Sequence, residues 1–156
     1  MSSKHRYATL EEYSDFCRGN SHDCTRCRLW QLCPFSEEGE NLQESDYPSD
    51  WSCNYTLTRL MRMSDERYLK YCLDKFREDR DSDIFGYEEW HFEQMQIRLS
   101  AFKKDCKFYN DIYIVLSKLS SDLLENDYKP RDLVYLDKYI DTEIRKILKK
   151  MKEAQQ

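Results

Sequence analysis

The chain has 156 residues, of which 40% are hydrophobic and 35% charged, and its formal net charge is −5. A chain of this length fits one domain with a small appendage and is too short for a TIM barrel, which needs about 250 residues. No run approaches the roughly 18 apolar residues of a membrane span, and the first residues lack the apolar core of a secretory signal. We therefore expect a cytoplasmic protein with no membrane partner. Three glycines and three prolines are too few for the frequent turns of a sandwich or barrel, which favours helices.

The first predicted element is a short helix over residues 9–18. Thr9 and Glu12 stand at the two positions of a capping box, in which each side chain satisfies a backbone N–H of the other residue. Tyr13 and Cys17 then share one helical face, and Gly19 is placed to end the helix. This helix opens an N-terminal unit that we predict to span residues 1–35.

Four of the seven cysteines fall in this unit, at Cys17, Cys24, Cys27 and Cys33. Cys24 and Cys27 form a CxxC turn that brings two sulfurs to one metal ion, and Cys17 and Cys33 complete a tetrahedron of thiolates. Without an export signal, disulfides explain these residues poorly. The spacing predicts a closed zinc site, with His22 as a substitute ligand. A [4Fe–4S] cluster is the alternative because four thiolates serve either metal, and core thiols without metal are the third interpretation.

The segment 24–34, with Cys17 upstream of it, resembles the CxxCxxxxxC segments of two iron–sulfur families, the radical-SAM maturases and the CRISPR-adaptation and AddB-type nucleases. The resemblance covers about 18 residues and implies only a mode of cluster binding, because the other motifs of both families are absent. In its acidic composition with an isolated cysteine knuckle, the chain also resembles small phage and prophage proteins.

A second interpretation of the cysteine cluster is a nucleic-acid contact. Arg26 and Arg28 lie within the cluster, and Trp30 offers a ring on which a base stacks, as in zinc knuckles that bind single strands. The net negative charge of the chain does not favour this interpretation, since nucleic-acid binding proteins usually carry a basic stripe.

Residues 36–54 are predicted to form an acidic loop. Over residues 36–50 the loop has carboxylates without any Lys or Arg, and these more than account for the net charge: Glu37, Glu38, Glu40, Glu44, Asp46 and Asp50. One interpretation is a solvated connector. The other is an acidic surface that docks on a basic partner or mimics nucleic-acid phosphate.

From residue 55 to 156 the helical period dominates, so the predicted fold is mainly α, a helical bundle with an N-terminal Cys-rich metal knuckle. Residues 57–76 predict one or two helices, with Ser64 as a cap or break. Residues 87–124 predict one long helix or a kinked pair, interrupted near Asn110 and Asp111. Cys72 and Cys106 are predicted to be core residues.

A last helix is predicted after Pro130, with Asp132 as its cap. Its apolar residues from 133 to 151 recur in steps of three and four, close to a heptad seam. One interpretation packs this stripe against residues 87–125 inside one bundle. The other makes it the seam of a homodimer.

No catalytic constellation is present, since HExxH, GxSxG and Gly-rich phosphate-binding patterns are all missing from the sequence. We therefore expect a non-enzymatic binding protein that occupies a partner, with a phage-encoded inhibitor of a host or defence protein as the expected role. A nucleic-acid-associated or regulatory module with a metal knuckle is the alternative.

Overall fold

The computed structural model of the protein describes residues 8–19, 27–29, 54–82, 88–125 and 130–155. Across these ranges the chain forms helices and no strand, which confirms the mainly α fold class. Within the described ranges, no helix is long and apolar enough to cross a bilayer. The helices are α1 (Leu10–Gly19), α2 (Asn54–Arg62), α3 (Asp65–Asp81), α4 (Glu88–Leu99), α5 (Tyr109–Glu125) and α6 (Pro130–Ala154).

The chain divides into two compact units, Met1–Met63 and Ser64–Gln156. Helices α1 and α2 belong to the first unit, and α3 to α6 form the second. The predicted ranges 1–35, 36–54 and 55–156 had placed α2 with the later helices. The structure groups α2 with α1 because Thr58 and Arg62 on α2 hold residues that precede and form α1.

The four helices of the second unit pack in a ring, in which α3 contacts α4, α4 contacts α5, α5 contacts α6, and α6 returns to α3. Contacts at the helix ends show that α3 and α6 run in opposite directions. Gln155, just beyond α6, donates a hydrogen bond to Glu66 at the start of α3 at 2.6 Å. Arg80 near the end of α3 pairs with Asp137 near the start of α6. This arrangement is a helical bundle, as predicted.

The core of the second unit lies inside this ring and is built from one apolar face of each helix. Cys72 is fully buried, as predicted, whereas Cys106 is only half-buried. Burying these faces removes apolar surface from water, which is the main stabilising term of a bundle. The largest fully buried side chains of the unit are Tyr68, Leu69, Phe76, Met95, Leu99, Ile112, Leu119, Leu136, Ile140 and Ile144.

Ser64 acts both as a break and as a cap, which confirms the prediction made for it. Helix α2 ends at Arg62 and α3 begins at Asp65. The backbone of Ser64 is extended, with φ −65° and ψ 163°, and its hydroxyl accepts a hydrogen bond from the Arg67 N–H at 3.2 Å. The hydroxyl thereby satisfies one of the four N–H groups that lack a partner at the start of any helix.

The predicted position of the interruption in residues 87–124 is wrong. Asn110 and Asp111 lie inside α5, and the helix breaks earlier, at residues 100–108. At the break, the Ser100 N–H contacts the carbonyls of Gln96 and Ile97 at 3.0 and 3.1 Å. The Ser100 hydroxyl donates to the Gln96 carbonyl at 2.8 Å. A serine side chain that bonds to the backbone in this way competes with continued helix.

The segment after this break is used for packing. Phe102 is buried, and its ring centroid lies 5.2 Å from that of Tyr68 on α3. Periodicity did not reveal the break because Leu99, Phe102 and Cys106 continue the helical spacing. Spacing alone does not distinguish a helical face from a turn whose apolar residues also point inward.

Helix α6 begins at Pro130 itself, so Asp132 lies in its first turn, and the prediction of Asp132 as the cap is wrong. Proline suits the first helical position, because its fixed φ is helical and the N–H that it lacks would have no partner there.

The apolar stripe of residues 133–151 is used inside the bundle. Leu136, Ile140, Ile144, Ile147 and Met151 are all buried within the single chain, and α6 packs against both α3 and α5. These five side chains therefore pack within one chain, and the homodimer through residues 133–151 stays a prediction.

Candidate functional site

Helix α2 is the element that the other described parts of the N-terminal unit contact. Leu57 and Leu60 form its apolar face, and both are buried. Thr58 is also buried, and its hydroxyl accepts a hydrogen bond from the Ala8 N–H at 2.9 Å. This bond fixes the chain against α2 two residues before α1 begins.

Helix α1 is tied to α2 by an ion pair of long sequence separation. The Thr9 hydroxyl accepts a hydrogen bond from the Glu12 N–H at 3.2 Å, which confirms the N-cap of the predicted capping box. The Glu12 carboxylate accepts hydrogen bonds from Nε and Nη2 of Arg62 at 2.9 and 2.8 Å. The hydrogen bond to Glu12 raises the pKa of Arg62, although burial acts against it. Two parallel bonds of this kind hold orientation as well as charge.

Cys17 lies in the last turn of α1, five residues after Glu12, and is half-buried. Tyr13 on the same helix is buried, so α1 presents an apolar side to its own unit. The first predicted metal ligand thus stands on an element that the ion pair and the N-cap both orient.

Cys27 opens a short turn, and it too is half-buried. The N–H of Leu29, two residues later, donates to the Cys27 sulfur at 3.5 Å. Leu29 itself is buried and anchors the end of the turn. The Cys27 sulfur, the atom through which a cysteine binds metal, thus lies at a turn that the backbone holds.

Arg28, between Cys27 and Leu29, is hydrogen-bonded to α2. Its Nη1 donates to the carbonyls of Leu60 and Met63 at 3.2 and 2.8 Å. These carbonyls lie at the C-terminal end of α2, where backbone acceptors lack helical partners and the helix dipole favours a cation. The Cys27 turn is therefore docked on the end of α2.

Of the predicted ligands, the structure describes Cys17 and Cys27. Cys24, Cys33 and His22 lie outside the described residues. Among the residues that the structure does describe, no three His, Cys, Asp or Glu side chains gather to hold a metal ion. The four-thiolate site therefore stays a prediction.

The structure describes one of the three predicted nucleic-acid residues, Arg28. Arg26 and Trp30 lie outside the described residues. The Arg28 guanidinium is partly buried and bonds to the backbone of its own unit, so its position is explained without a nucleic acid. This contact could not be predicted, because nothing local to Arg28 in the sequence indicates which helix end it reaches.

The predicted partner-binding carboxylates also lie outside the described residues: Glu37, Glu38, Glu40, Glu44, Asp46 and Asp50. Their assignment to a partner surface stays a prediction.

A half-buried polar cluster that the sequence did not suggest lies on α3 and α4, within the described part of the second unit. The Asp79 carboxylate lies 3.5 Å from Nζ of Lys75 and 3.6 Å from Nη2 of Arg98. Burial raises the pKa of Tyr71, one turn before Lys75 on α3. These distances exceed those of a charge-assisted hydrogen bond, so the cluster balances charge between α3 and α4 without close pairing.

Comparisons with protein-family models, with curated proteins and with solved structures give no match to this chain.

Proposed function

We propose that this chain is a non-enzymatic binding protein whose N-terminal unit is stabilised by one metal ion at Cys17, Cys24, Cys27 and Cys33. The observation that carries the metal site is the Cys27 turn, in which the Leu29 N–H points at sulfur. Zinc is the proposed ion, and a [4Fe–4S] cluster is the alternative cofactor, because four thiolates serve either.

A metal explains how the small N-terminal unit holds together. Its described helices are short, with 10 residues in α1 and 9 in α2. Isolated helices of this length are marginal in water. A structural zinc site supplies free energy of folding directly, because the ligands converge only in the folded chain.

The proposed action is occupation of a partner protein, as a phage-encoded inhibitor of a host or defence protein. Two features of the sequence support it, namely the absence of any catalytic motif and the run of carboxylates over residues 36–50. Such a run presents a field that attracts a basic surface from a distance and speeds association.

The metal site is tested by purifying the chain without oxygen and measuring zinc, iron and sulfide together with the absorption spectrum. We expect about one zinc per chain and no colour. C17S and C27S are each expected to lose the metal, since a serine hydroxyl is a poor zinc ligand. C106S is the matched control, because Cys106 is equally half-buried but belongs to the other unit.

Three results of this experiment would count against zinc. A brown protein with iron and sulfide would replace zinc by the cluster. A wild-type chain without metal, or a C27S variant that keeps a full zinc, would overturn the site.

The partner surface is tested by neutralising the six carboxylates of residues 37–50 to Asn and Gln. We expect association with the bound partner to slow and to lose its dependence on salt. The control neutralises exposed carboxylates of the second unit, Glu93, Asp105 and Glu153. If both variants bind alike, the acidic segment is only a solvated connector.

A further inference from the structure

Arg28 stands between two residues that are held in different ways. On one side is Cys27, the proposed metal ligand, and on the other is Leu29, which is buried. Arg28 is joined to both residues by peptide bonds. Holding the Cys27 sulfur in place therefore also restricts the position of the Arg28 Cα, from which the side chain extends. Its guanidinium then reaches the carbonyls of Leu60 and Met63.

Those carbonyls matter for α2 because the helix is short. The last four carbonyls of any α-helix have no partner within the helix. In the 9 residues of α2 this is close to half of all its carbonyls. Leu60 is one of the four, and Met63 follows the helix directly, so Arg28 caps the end of α2 from a distance of more than 30 residues in sequence.

We infer that Arg28 is a positioning residue that couples metal binding at Cys27 to the folding of α2. The inference rests on the proposed metal site. With metal bound, the turn 27–29 is held, and the Arg28 guanidinium is in place to donate to the carbonyls at the end of α2. Without metal, the same hydrogen bonds require the turn to be ordered first, which costs conformational entropy.

The coupling acts in both directions. If metal binding favours the capped form of α2 by some factor, a capped α2 favours metal binding by the same factor. Arg28 donates two hydrogen bonds to backbone carbonyls, and one such bond usually contributes up to about tenfold in an equilibrium. We therefore expect loss of Arg28 to weaken zinc affinity by roughly tenfold.

The test is hydrogen exchange of the α2 amides in the full chain, zinc-loaded and chelator-treated, with zinc content measured on the same samples. In the wild type, zinc is expected to slow exchange in α2 by about tenfold or more. In R28A this slowing is expected to shrink, while zinc-loaded chain still holds one metal at saturating zinc. R59A is the matched control, because Arg59 lies exposed on α2 over the Tyr55 ring at 5.7 Å.

R28K keeps the charge but offers one compact ammonium, so it is expected to fall between wild type and R28A; it also serves if R28A does not fold. If R28A and R28K show the wild-type slowing, Arg28 does not couple the two. If zinc binds the wild type without slowing α2, the coupling fails while the metal site stands. A wild-type chain that holds no zinc overturns both.

Discussion

Cysteine environments in this chain differ from residue to residue, and the differences decide the chemistry of each. Cys72 is fully buried in the bundle core. Cys27 accepts a hydrogen bond from a backbone N–H and is one of the four proposed ligands. Cys106 is half-buried, and desolvation raises its pKa, although a backbone hydrogen bond acts against the shift. Residue type alone predicted the burial of Cys72 but not these distinctions.

Cys106 is expected to react with iodoacetamide only at a higher pH than an ordinary thiol. Burial disfavours the thiolate, so the folded chain keeps the proton on Cys106 through a pH range in which the unfolded chain has lost it. Stability linked to this group is therefore full below the pKa of the unfolded chain and falls as the pH rises through the folded pKa. Site-resolved mass spectrometry of alkylation against pH measures the midpoint.

The denatured chain is the control for Cys106, since its thiol is expected to titrate at the usual value near 8.5. Equal midpoints in the folded and denatured chain would contradict the raised pKa.

At the scale of elements, local signals succeeded where one side chain decides a helix end. Ser64 separates two helices and caps the second, and a serine before an acidic first turn predicts such a cap. The connection at residues 100–108 is the opposite case. Apolar spacing continues through it, and the contact of Phe102 with Tyr68 of another helix is not visible in that spacing.

S64A is expected to lower the free energy of unfolding of the second unit by about 1 kcal/mol, because the Arg67 N–H loses its acceptor. Ser64 is exposed, so the substitution leaves the core unchanged. Urea unfolding followed by circular dichroism measures the change. S64D is the matched control and is expected to retain the cap, and an equal loss in S64D and S64A would show that capping is not the cause.

At the scale of the whole molecule, a bundle and a dimer differ in whether the apolar side chains of α6 pack within one chain or between two chains. I140A is expected to lower the free energy of unfolding by about 2–5 kcal/mol, because Ile140 is fully buried against helices of its own chain. V134A, on the same helix at 55% exposure, is expected to change it by less than about 0.5 kcal/mol.

The same unfolding curves, measured over a range of chain concentrations, separate the two interpretations of α6. A midpoint independent of concentration agrees with burial inside one chain. A midpoint that rises with concentration would support a homodimer through α6, since association stabilises the folded chain by mass action.

The sequence by itself determined the helical class, the break at Ser64 and the buried face of α6. These follow from composition, from one cap residue and from a helical period, which are properties of neighbouring residues. It also supplied the spacing of Cys17, Cys24, Cys27 and Cys33, from which the metal site is proposed.

Only the tertiary structure decided which residues meet across long separations. Glu12 meets Arg62, and Arg28 meets the end of α2, although 50 and more than 30 residues separate them in sequence. A charged side chain can bond to many different partners. Which partner it has in the folded chain depends on where the backbone brings an unsatisfied donor or acceptor. For this reason the sequence does not identify the helix end whose carbonyls accept hydrogen bonds from Arg28, the residue predicted as a nucleic-acid contact.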